Sequence, residues 1–162
     1  MSESRSSARD IDVRRETISS TAANHLIRAL NVELSRRYPE DGTEKHFRLG
    51  AEELSPGRGA FLIAYAGATP IACGAVRLLD EDTAEIKRMY VAPGARGRGL
   101  GRRLLGALEA EGRRLGVTRL VLETGPRQPE SIALYSSAGF SRIGAFGEYE
   151  ESSSSLFMGK DV

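Results

Sequence analysis

Three short apolar segments joined by tight turns constrain the fold of this chain more than any other feature. They span residues 60–66, 71–79 and 83–91, and they are separated by a Gly-Ala-Thr-Pro turn and an acidic Asp-Glu-Asp turn. Connections this short cannot cross the face of a sheet, so the pattern predicts an antiparallel meander of three strands. An all-helical fold is therefore excluded.

A helix and a further strand follow the meander. Residues 100–115 carry leucines at helical spacing, and the next residue, Gly116, is of a type that commonly ends helices. Residues 118–124 form the short, nearly continuous apolar segment that is typical of a buried strand. A strand, a crossover helix and another strand predict that residues 83–91 and 118–124 are parallel neighbours in the sheet.

The flanking segments complete an α+β pattern. A helix is predicted to begin at Ser20 or Thr21, which can cap its first turn, and to stop at Pro39. The remaining predicted elements are a first strand, a short helix and two closing strands, at residues 11–18, 129–138, 140–143 and 155–158. The fold class expected from this order is α+β, with a mixed, mostly antiparallel sheet and flanking helices.

Length and composition favour one soluble domain. The chain has 162 residues, of which 40% are apolar and 28% charged, which excludes the disordered and collagen-like classes. We expect a flexible tail at residues 1–10 and a single domain at residues 11–162. No segment approaches the ~20 apolar residues that span a bilayer, and the lone Cys73 fits a reducing compartment, so a cytoplasmic protein with no membrane partner is expected.

Positive charge is concentrated in one part of a nearly neutral chain. The net charge is +1, yet residues 86–103 contain six basic residues and no acidic one. The centre of this region, residues 96–101 (RGRGLG), lies where a strand leads into the N-terminus of a helix, which is a favourable place for an anion. The region lacks interleaved aromatic residues, and six cations around a helix start suit a diphosphate better than a nucleic-acid groove.

Two familiar phosphate-binding loops do not fit this sequence. A P-loop needs Lys and then Ser or Thr after its last glycine, but Arg102 and Arg103 follow Gly101. The dinucleotide pattern G-x-G-x-x-G fails as well, whether it starts at Gly97 or at Gly99. The pattern that does fit is [Arg/Gln]-x-x-Gly-x-[Gly/Ala], at Arg96, Gly99 and Gly101.

The stretch from residue 85 to residue 140 resembles the GNAT superfamily of acyl-CoA-dependent N-acetyltransferases. The strand EIKRMYV, the loop ARGRGLG, the helix after it and the segment ALYSSAGF stand in the order and spacing of that family. The resemblance implies acetyl-CoA as co-substrate, with no metal, and a slot between two splayed parallel strands. It also allows a homodimer, since members of the family often form dimers.

The resemblance assigns cofactor-binding roles residue by residue. Main-chain groups of Met89 and Val91 would pair with the pantetheine arm, and the N–H of Met89 would polarise the reacting carbonyl. Gln128 stands where family members often carry an Asn that contacts the cofactor. The full set of implied cofactor-binding residues is Met89, Tyr90, Val91, Arg96, Gly97, Arg98, Gly99, Leu100, Gly101, Arg102 and Gln128.

Two side chains are candidates for proton transfer. Tyr135 stands at the family's general-acid position, where a phenol can protonate the departing thiolate. Glu85 is the candidate general base, directly or through water, because strand alternation would place it on the same face as Met89. The alternative for Glu85 is an ion pair with Lys87 on that face, and Glu123 on the neighbouring strand is the other carboxylate that could face the site.

The acceptor is expected to be the primary amine of a small molecule. A protein or peptide amine, or a non-catalytic coenzyme A-binding module, are the alternatives that the sequence leaves open. Residues 38–59 and 147–161 would border the acceptor side, and Arg77 or Arg88 could hold a substrate carboxylate there. His25 and His46 have no metal-ligand spacing, and Cys73 fits a buried residue better than a nucleophile.

Overall fold

The computed structural model describes residues 10–40 and 50–162. Residues 1–9 of the expected tail and residues 41–49 of the long polar segment lie outside the described residues. The strands and helices, in chain order, are β1 (Ile11–Arg15), α1 (Thr21–Arg37), β2 (Gly59–Ala66), β3 (Thr69–Leu78), β4 (Thr83–Val91), α2 (Leu100–Arg114), β5 (Arg119–Thr124), α3 (Pro129–Ser137), β6 (Ser141–Ile143) and β7 (Leu156–Asp161). Short 3-10 helices occupy Ala51–Leu54 and Pro93–Ala95.

The strands of the described chain form a mixed, seven-stranded sheet. Their spatial order is β1-β2-β3-β4-β5-β7-β6. β4 and β5 are parallel neighbours linked through α2, as predicted, and the other neighbouring pairs are antiparallel. The α+β class with flanking helices is therefore confirmed.

Several predicted boundaries need correction. The first strand ends at Arg15, so Ile18 belongs to the turn before α1. Residues 38–59, for which no helix or strand was predicted, contain the 3-10 helix Ala51–Leu54. The last strand, β7, begins one residue later than predicted and continues to Asp161, because it pairs along the whole of β5.

The sheet separates two apolar clusters, one under each long helix. On one face, Leu104, Leu105 and Leu108 of α2 pack against inward-facing residues of the central strands. On the other face, Leu26 and Leu30 of α1 do the same. Burial of these two stripes fixes α1 and α2 on opposite sides of the sheet. No helix among the described residues is long and apolar enough to cross a membrane.

The helix α1 begins where the sequence predicts it. Ser20 is the N-cap, and its hydroxyl accepts a hydrogen bond from the Ala23 N–H at 3.0 Å. The helix ends at Arg37, and the buried Tyr38 follows it as the C-cap. The helix therefore presents Leu30 and Tyr38 toward the region where β4 and β5 separate.

β4 and β5 separate halfway along β4. Their ladder runs from the pair Thr83 and Arg119 to the pair Ile86 and Leu122 and ends there. From Lys87 onward the β5 side of β4 has no neighbouring strand among the described residues. The gap that opens is walled by α1 and α3.

A bulge lies in β4 at the start of this gap. Lys87 pairs with Ala75 and Tyr90 pairs with Cys73, so two residues of β4 oppose the single residue Gly74. One of the two, Arg88, has a positive φ of 59°, which is uncommon for a residue with a side chain. The bulge shifts the alternation of every residue that follows it in the strand.

The bulge makes one sequence-based prediction wrong. Glu85 and Met89 were expected on the same face, yet Met89 packs against the α2 cluster, whereas Glu85 is hydrogen-bonded to Arg77 on the α1 face. Tyr90 likewise belongs to the α1 cluster. Simple alternation fails here because the extra residue in β4 reverses the faces after Lys87.

Candidate active site

Two adjoining cavities occupy the gap between β4 and β5. The larger, about 350 Å³, runs from the end of β4 along the loop before α2. The smaller, about 120 Å³, extends toward the C-terminal segment. The cavities share the lining residues Leu30, Met89, Gln128, Ser131 and Tyr135. A molecule bound in one cavity would therefore meet a molecule bound in the other at these side chains.

The loop at the mouth of the larger cavity presents backbone donors. Gly97 and Gly99 have φ values of 80° and 76°, which turn the chain tightly into α2. No side chain caps the helix at Gly99. In the described part of the chain, none of the backbone N–H groups of residues 97–102 has a hydrogen-bond partner. Six free donors at a helix N-terminus form a strong site for an anion.

The arginine side chains of the basic region have different roles. The Arg96 guanidinium donates to the Val91 carbonyl and to the Glu33 carboxylate, both at 2.7 Å, and so ties the loop to α1. Arg102 donates to the Ser137 hydroxyl at 2.6 Å and ties α2 to α3. Arg98 is exposed at the loop itself. Part of the cationic region therefore shapes the loop.

Gly101 allows close packing beside the larger cavity. A Cβ atom at this position would lie 3.2 Å from the Leu134 Cδ2 and 3.8 Å from the Val91 Cγ2. The first turn of α2 therefore approaches α3 and the end of β4 closely, which brings its free N–H groups next to the cavity.

Tyr135 lies at the junction of the two cavities. Its side chain is only 6% exposed, and its ring packs edge-on against Phe140 with the centroids 5.8 Å apart. The Tyr135 hydroxyl makes no hydrogen bond to any described residue. Burial raises the pKa of this phenol well above its usual value, so the group stays protonated at neutral pH.

Glu85 is fully buried beside the smaller cavity and is held by two partners. The Arg77 Nε and Nη2 atoms lie 3.0 Å and 2.9 Å from Glu85 Oε1, and the Tyr149 hydroxyl donates to Oε2 at 2.6 Å. Arg77 also pairs with Glu53. The ion pair that the sequence suggested with Lys87 is thus formed with Arg77, because Arg77 lies directly opposite Glu85 on β3.

Burial and the neighbouring Glu85 carboxylate together raise the pKa of Tyr149. Glu123 contributes to the same rise of the Tyr149 pKa, and both carboxylates line the smaller cavity together with this phenol. Glu123 lines the smaller cavity, as the sequence suggested, and its Oε2 accepts a hydrogen bond from the Ser155 hydroxyl at 2.8 Å. The smaller cavity therefore has an acidic wall.

A tyrosine and a glycine shape the other end of the smaller cavity. The Tyr38 hydroxyl accepts a hydrogen bond from the Arg127 N–H at 2.9 Å. A Cβ atom at Gly125 would lie 1.8 Å from this hydroxyl, so only glycine fits there. Gln128, at the N-cap of α3, lines both cavities.

The family model of the acetyltransferase (GNAT) family matches residues 26–140 of the chain. This protein belongs to the GNAT family. The matched region contains the whole β4–loop–α2 unit and Tyr135.

Relatives of this GNAT protein agree with that assignment. A protein of Azospirillum brasilense named IAA acetyltransferase is 39% identical over 154 residues, which cover 94% of this chain and 99% of the relative. A Klebsiella pneumoniae structure with a provisional assignment as an acyl-CoA N-acyltransferase has a TM-score of 0.79 and 31% identity, covering 93% and 97% of the two chains.

The fold is also that of a GNAT acetyltransferase from Elizabethkingia anophelis, whose structure has acetyl-CoA bound. The TM-score is 0.67 at 18% identity, and the match covers 94% of this chain and 99% of the other.

Cys73 of this GNAT protein is buried within the α1 cluster. It is 0% exposed, its thiol donates to the Arg88 carbonyl at 3.3 Å, and burial raises its pKa to about 12. The thiol therefore stays protonated, as expected for a structural cysteine. Among residues 10–40 and 50–162, no cluster of three or more His, Cys, Asp or Glu could hold a metal, and His46 lies outside these ranges.

Sequence reasoning missed several side chains that line the GNAT site. Tyr149 belongs to the segment that was expected to border the acceptor side, and Leu30 belongs to the helix predicted between Ser20 and Pro39, with no role assigned to either side chain. Asn31 lines neither cavity but accepts a hydrogen bond from the Arg88 side chain, and nothing in the sequence indicated this contact. These residues lie far from β4 in sequence, and only the packing of α1 and the C-terminal segment brings them to the gap.

Proposed function

We propose that this GNAT protein transfers an acetyl group directly from acetyl-CoA to the primary amine of a small molecule. The observation that carries the proposal is the pair of adjoining cavities. One cavity has at its mouth six N–H donors without a partner among the described residues, the other has an acidic wall, and Tyr135 lies where they meet.

The larger cavity would hold the coenzyme. The N–H groups of residues 97–102 would bind its pyrophosphate, assisted by the positive end of the α2 dipole. The open edge of β4 from Met89 to Val91 would pair with the pantetheine arm as an added strand does. Acetyl-CoA in the similarly folded Elizabethkingia anophelis structure supports this choice of donor.

The protein groups would promote a direct transfer. The amine nitrogen attacks the thioester carbonyl carbon, a C–N bond forms and the C–S bond breaks. The Met89 N–H would stabilise the negative charge that develops on the carbonyl oxygen. Glu85, directly or through water, would accept the proton that the amine loses, and Tyr135 would donate its proton to the departing thiolate.

The size of the smaller cavity favours a small acceptor. Its volume of about 120 Å³ suits a compact molecule better than a folded protein surface. An acetyltransferase acting on a protein or peptide amine is the alternative, and a free N-terminus could still reach such a cavity.

Release of free thiol from acetyl-CoA on addition of candidate amines tests the proposal. We expect thiol release that depends on both the amine and the enzyme, together with an equal amount of N-acetylated product by mass spectrometry. If calorimetry shows acetyl-CoA binding but a broad amine panel gives no thiol release, the protein is a coenzyme A-binding module and the proposal is wrong.

A further inference from the structure

Two consecutive cationic residues, Lys87 and Arg88, line the smaller cavity, where the acceptor amine would bind. Neighbouring residues of a regular strand point to opposite faces, so one of the two would normally point toward α2. The bulge in β4 changes this. Arg88 reaches Asn31 of α1, and its Nη1 donates to the Asn31 Oδ1 at 3.2 Å. Both side chains therefore lie on the α1 side of the sheet.

The backbone at Arg88 is held in an unfavourable conformation. A φ of 59° is unfavourable for a residue with a side chain, because the Cβ atom approaches the following carbonyl oxygen. Conformations of this kind persist where the surrounding structure enforces them, and they are concentrated at functional sites. The strain at Arg88 has a visible consequence, which is to place a second cation beside Lys87 in the cavity wall.

Both cations are partly removed from water. Burial is the largest cause of the lowered pKa of Lys87 and of the lowered pKa of Arg88. The Lys87 ammonium lies 5.9 Å from the centre of the Tyr149 ring, and both residues line the smaller cavity. A bound anion would restore part of the solvation that burial removes from these groups.

The smaller cavity is lined by carboxylates as well as by the cations Lys87 and Arg88. Glu85 accepts a hydrogen bond from the Tyr149 phenol, and Glu123 lines the same cavity. The cavity of about 120 Å³ therefore presents opposite charges within a space of amino-acid size. A small molecule that carries both an ammonium group and an anionic group complements such a cavity.

We propose that the acceptor is a small amine that also carries a carboxylate, such as a free α-amino acid. The carboxylate binds at Arg88 and Lys87, and the amine points toward Glu85 and the junction at Tyr135. This inference rests on the proposed acetyl transfer and specifies its substrate class. It also distinguishes a free amino acid from a peptide N-terminus, which has an uncharged amide in place of the carboxylate.

Matched pairs of substrates test the inference on the unmodified protein. A panel of L-α-amino acids is compared with the corresponding carboxamides, which keep the amine and the side chain but lack the negative charge. We expect kcat/KM for the best free acid to exceed that for its carboxamide by about tenfold or more. The carboxamide's amine is the less protonated of the two, so intrinsic reactivity would favour the opposite order.

Substitution of Arg88 tests the binding role. Arg88→Met should raise KM for the preferred free acid by about tenfold or more, while KM for its carboxamide stays within about twofold. Arg88→Lys keeps the positive charge but lacks the planar guanidinium group. Its KM for the free acid should therefore lie between that of Arg88→Met and that of the unmodified protein. The matched control is Arg142→Met, because Arg142 is exposed on β6 and does not line either cavity.

The outcomes separate the inference from the function on which it rests. If carboxamides or simple alkylamines are turned over as well as the free acids or better, the proposed carboxylate site is wrong. The proposed acetyl transfer is then still supported. If Arg88→Met raises KM equally for a free amino acid and for its carboxamide, the proposed carboxylate site is also wrong. Absence of thiol release with every amine overturns the acetyl transfer, and the inference with it.

Discussion

At the scale of single residues, the two candidates for proton transfer, Tyr135 and Glu85, differ in their hydrogen bonding. The Tyr135 hydroxyl is buried, and the described residues offer it no hydrogen-bond partner. The Glu85 carboxylate is buried with partners on both oxygens. Substitution of Tyr135 should therefore affect the reaction alone, whereas substitution of Glu85 should affect both the reaction and the stability of the fold.

Removal of the Tyr135 hydroxyl should slow the reaction without weakening the fold. We expect Tyr135→Phe to lower kcat by about 100-fold, the scale of one general acid, with KM for acetyl-CoA within about twofold. The free energy of unfolding should not fall, since the Tyr135 hydroxyl hydrogen-bonds to none of residues 10–40 and 50–162. Steady-state thiol release and urea unfolding measure the two effects. Full turnover in Tyr135→Phe would remove Tyr135 as the acid.

Neutralising Glu85 should reduce both activity and stability. We expect Glu85→Gln to lower kcat by about 100-fold and to reduce the free energy of unfolding by about 1–3 kcal/mol, because Arg77 loses a buried carboxylate. Glu81→Gln is the matched control, since Glu81 is exposed in the turn before β4. Unchanged turnover in Glu85→Gln would assign the proton transfer to another group.

At the scale of elements, β4 and the loop after it organise the site. The bulge at Arg88 separates the first half of β4, which pairs with β5, from the second half, which lines the larger cavity. The positive φ values of Gly97 and Gly99 then direct the chain into α2 with its first N–H groups exposed. The candidate active site is therefore built from two local departures from regular geometry in one strand–loop–helix unit.

Two glycines close to each other in sequence test this element. At Gly99 and at Gly106, a Cβ atom would have no described residue within 4 Å, so the backbone conformation is the difference between the two positions. Gly99 has a φ of 76°, and Gly99→Ala should lower the free energy of unfolding by about 1 kcal/mol.

Gly106 lies inside α2 on its exposed face, and Gly106→Ala should raise the free energy of unfolding by about 0.5–1 kcal/mol. Denaturant unfolding of both variants measures the difference. The same sign of change in both variants would contradict the left-handed turn at the helix start.

At the scale of the whole molecule, the two faces of the sheet differ in polarity. The α2 face is packed with aliphatic side chains. The α1 face contains an apolar half, with Cys73 at its centre, and a charged half around Glu85. Ionisation of a group in the apolar half should therefore destabilise the entire fold.

Alkaline pH should unfold the protein partly through Cys73. The thiol keeps its proton up to about pH 12 in the folded state, whereas its ordinary pKa is 9.0. Between these values the folded state binds more protons than the unfolded chain, so stability falls as the pH rises. At pH 11 the effect of this one group is about 2–3 kcal/mol.

Comparison of Cys73→Ala with the unmodified protein isolates this effect. The free energy of unfolding, measured with urea between pH 7 and pH 11, should fall less steeply above pH 9 in the variant. Below pH 8 the two proteins should differ by a constant amount, which reflects the smaller side chain. Parallel curves up to pH 11 would contradict the raised pKa.

Much of this molecule could be predicted from local patterns. Turn residues delimit the meander, and the strand predicted at residues 83–91 has those bounds in the structure. Ser20, Gly116 and Pro39 mark helix ends because capping and φ restrictions act within a few residues. The motif at Arg96, Gly99 and Gly101 could be read for the same reason, since the loop that it forms is local.

The set of side chains that line the smaller cavity could not be predicted from local patterns. No residue type announces the bulge at Arg88, where two residues of β4 oppose Gly74, and this bulge puts Met89 on the opposite face from Glu85. The partners of Glu85 come from β3 and from a segment 64 residues away. The sequence by itself determined the order of elements and the anion-binding loop, because these depend on neighbours in the chain. The tertiary structure alone decided which charges meet in the cavity, because that depends on strand register and helix packing.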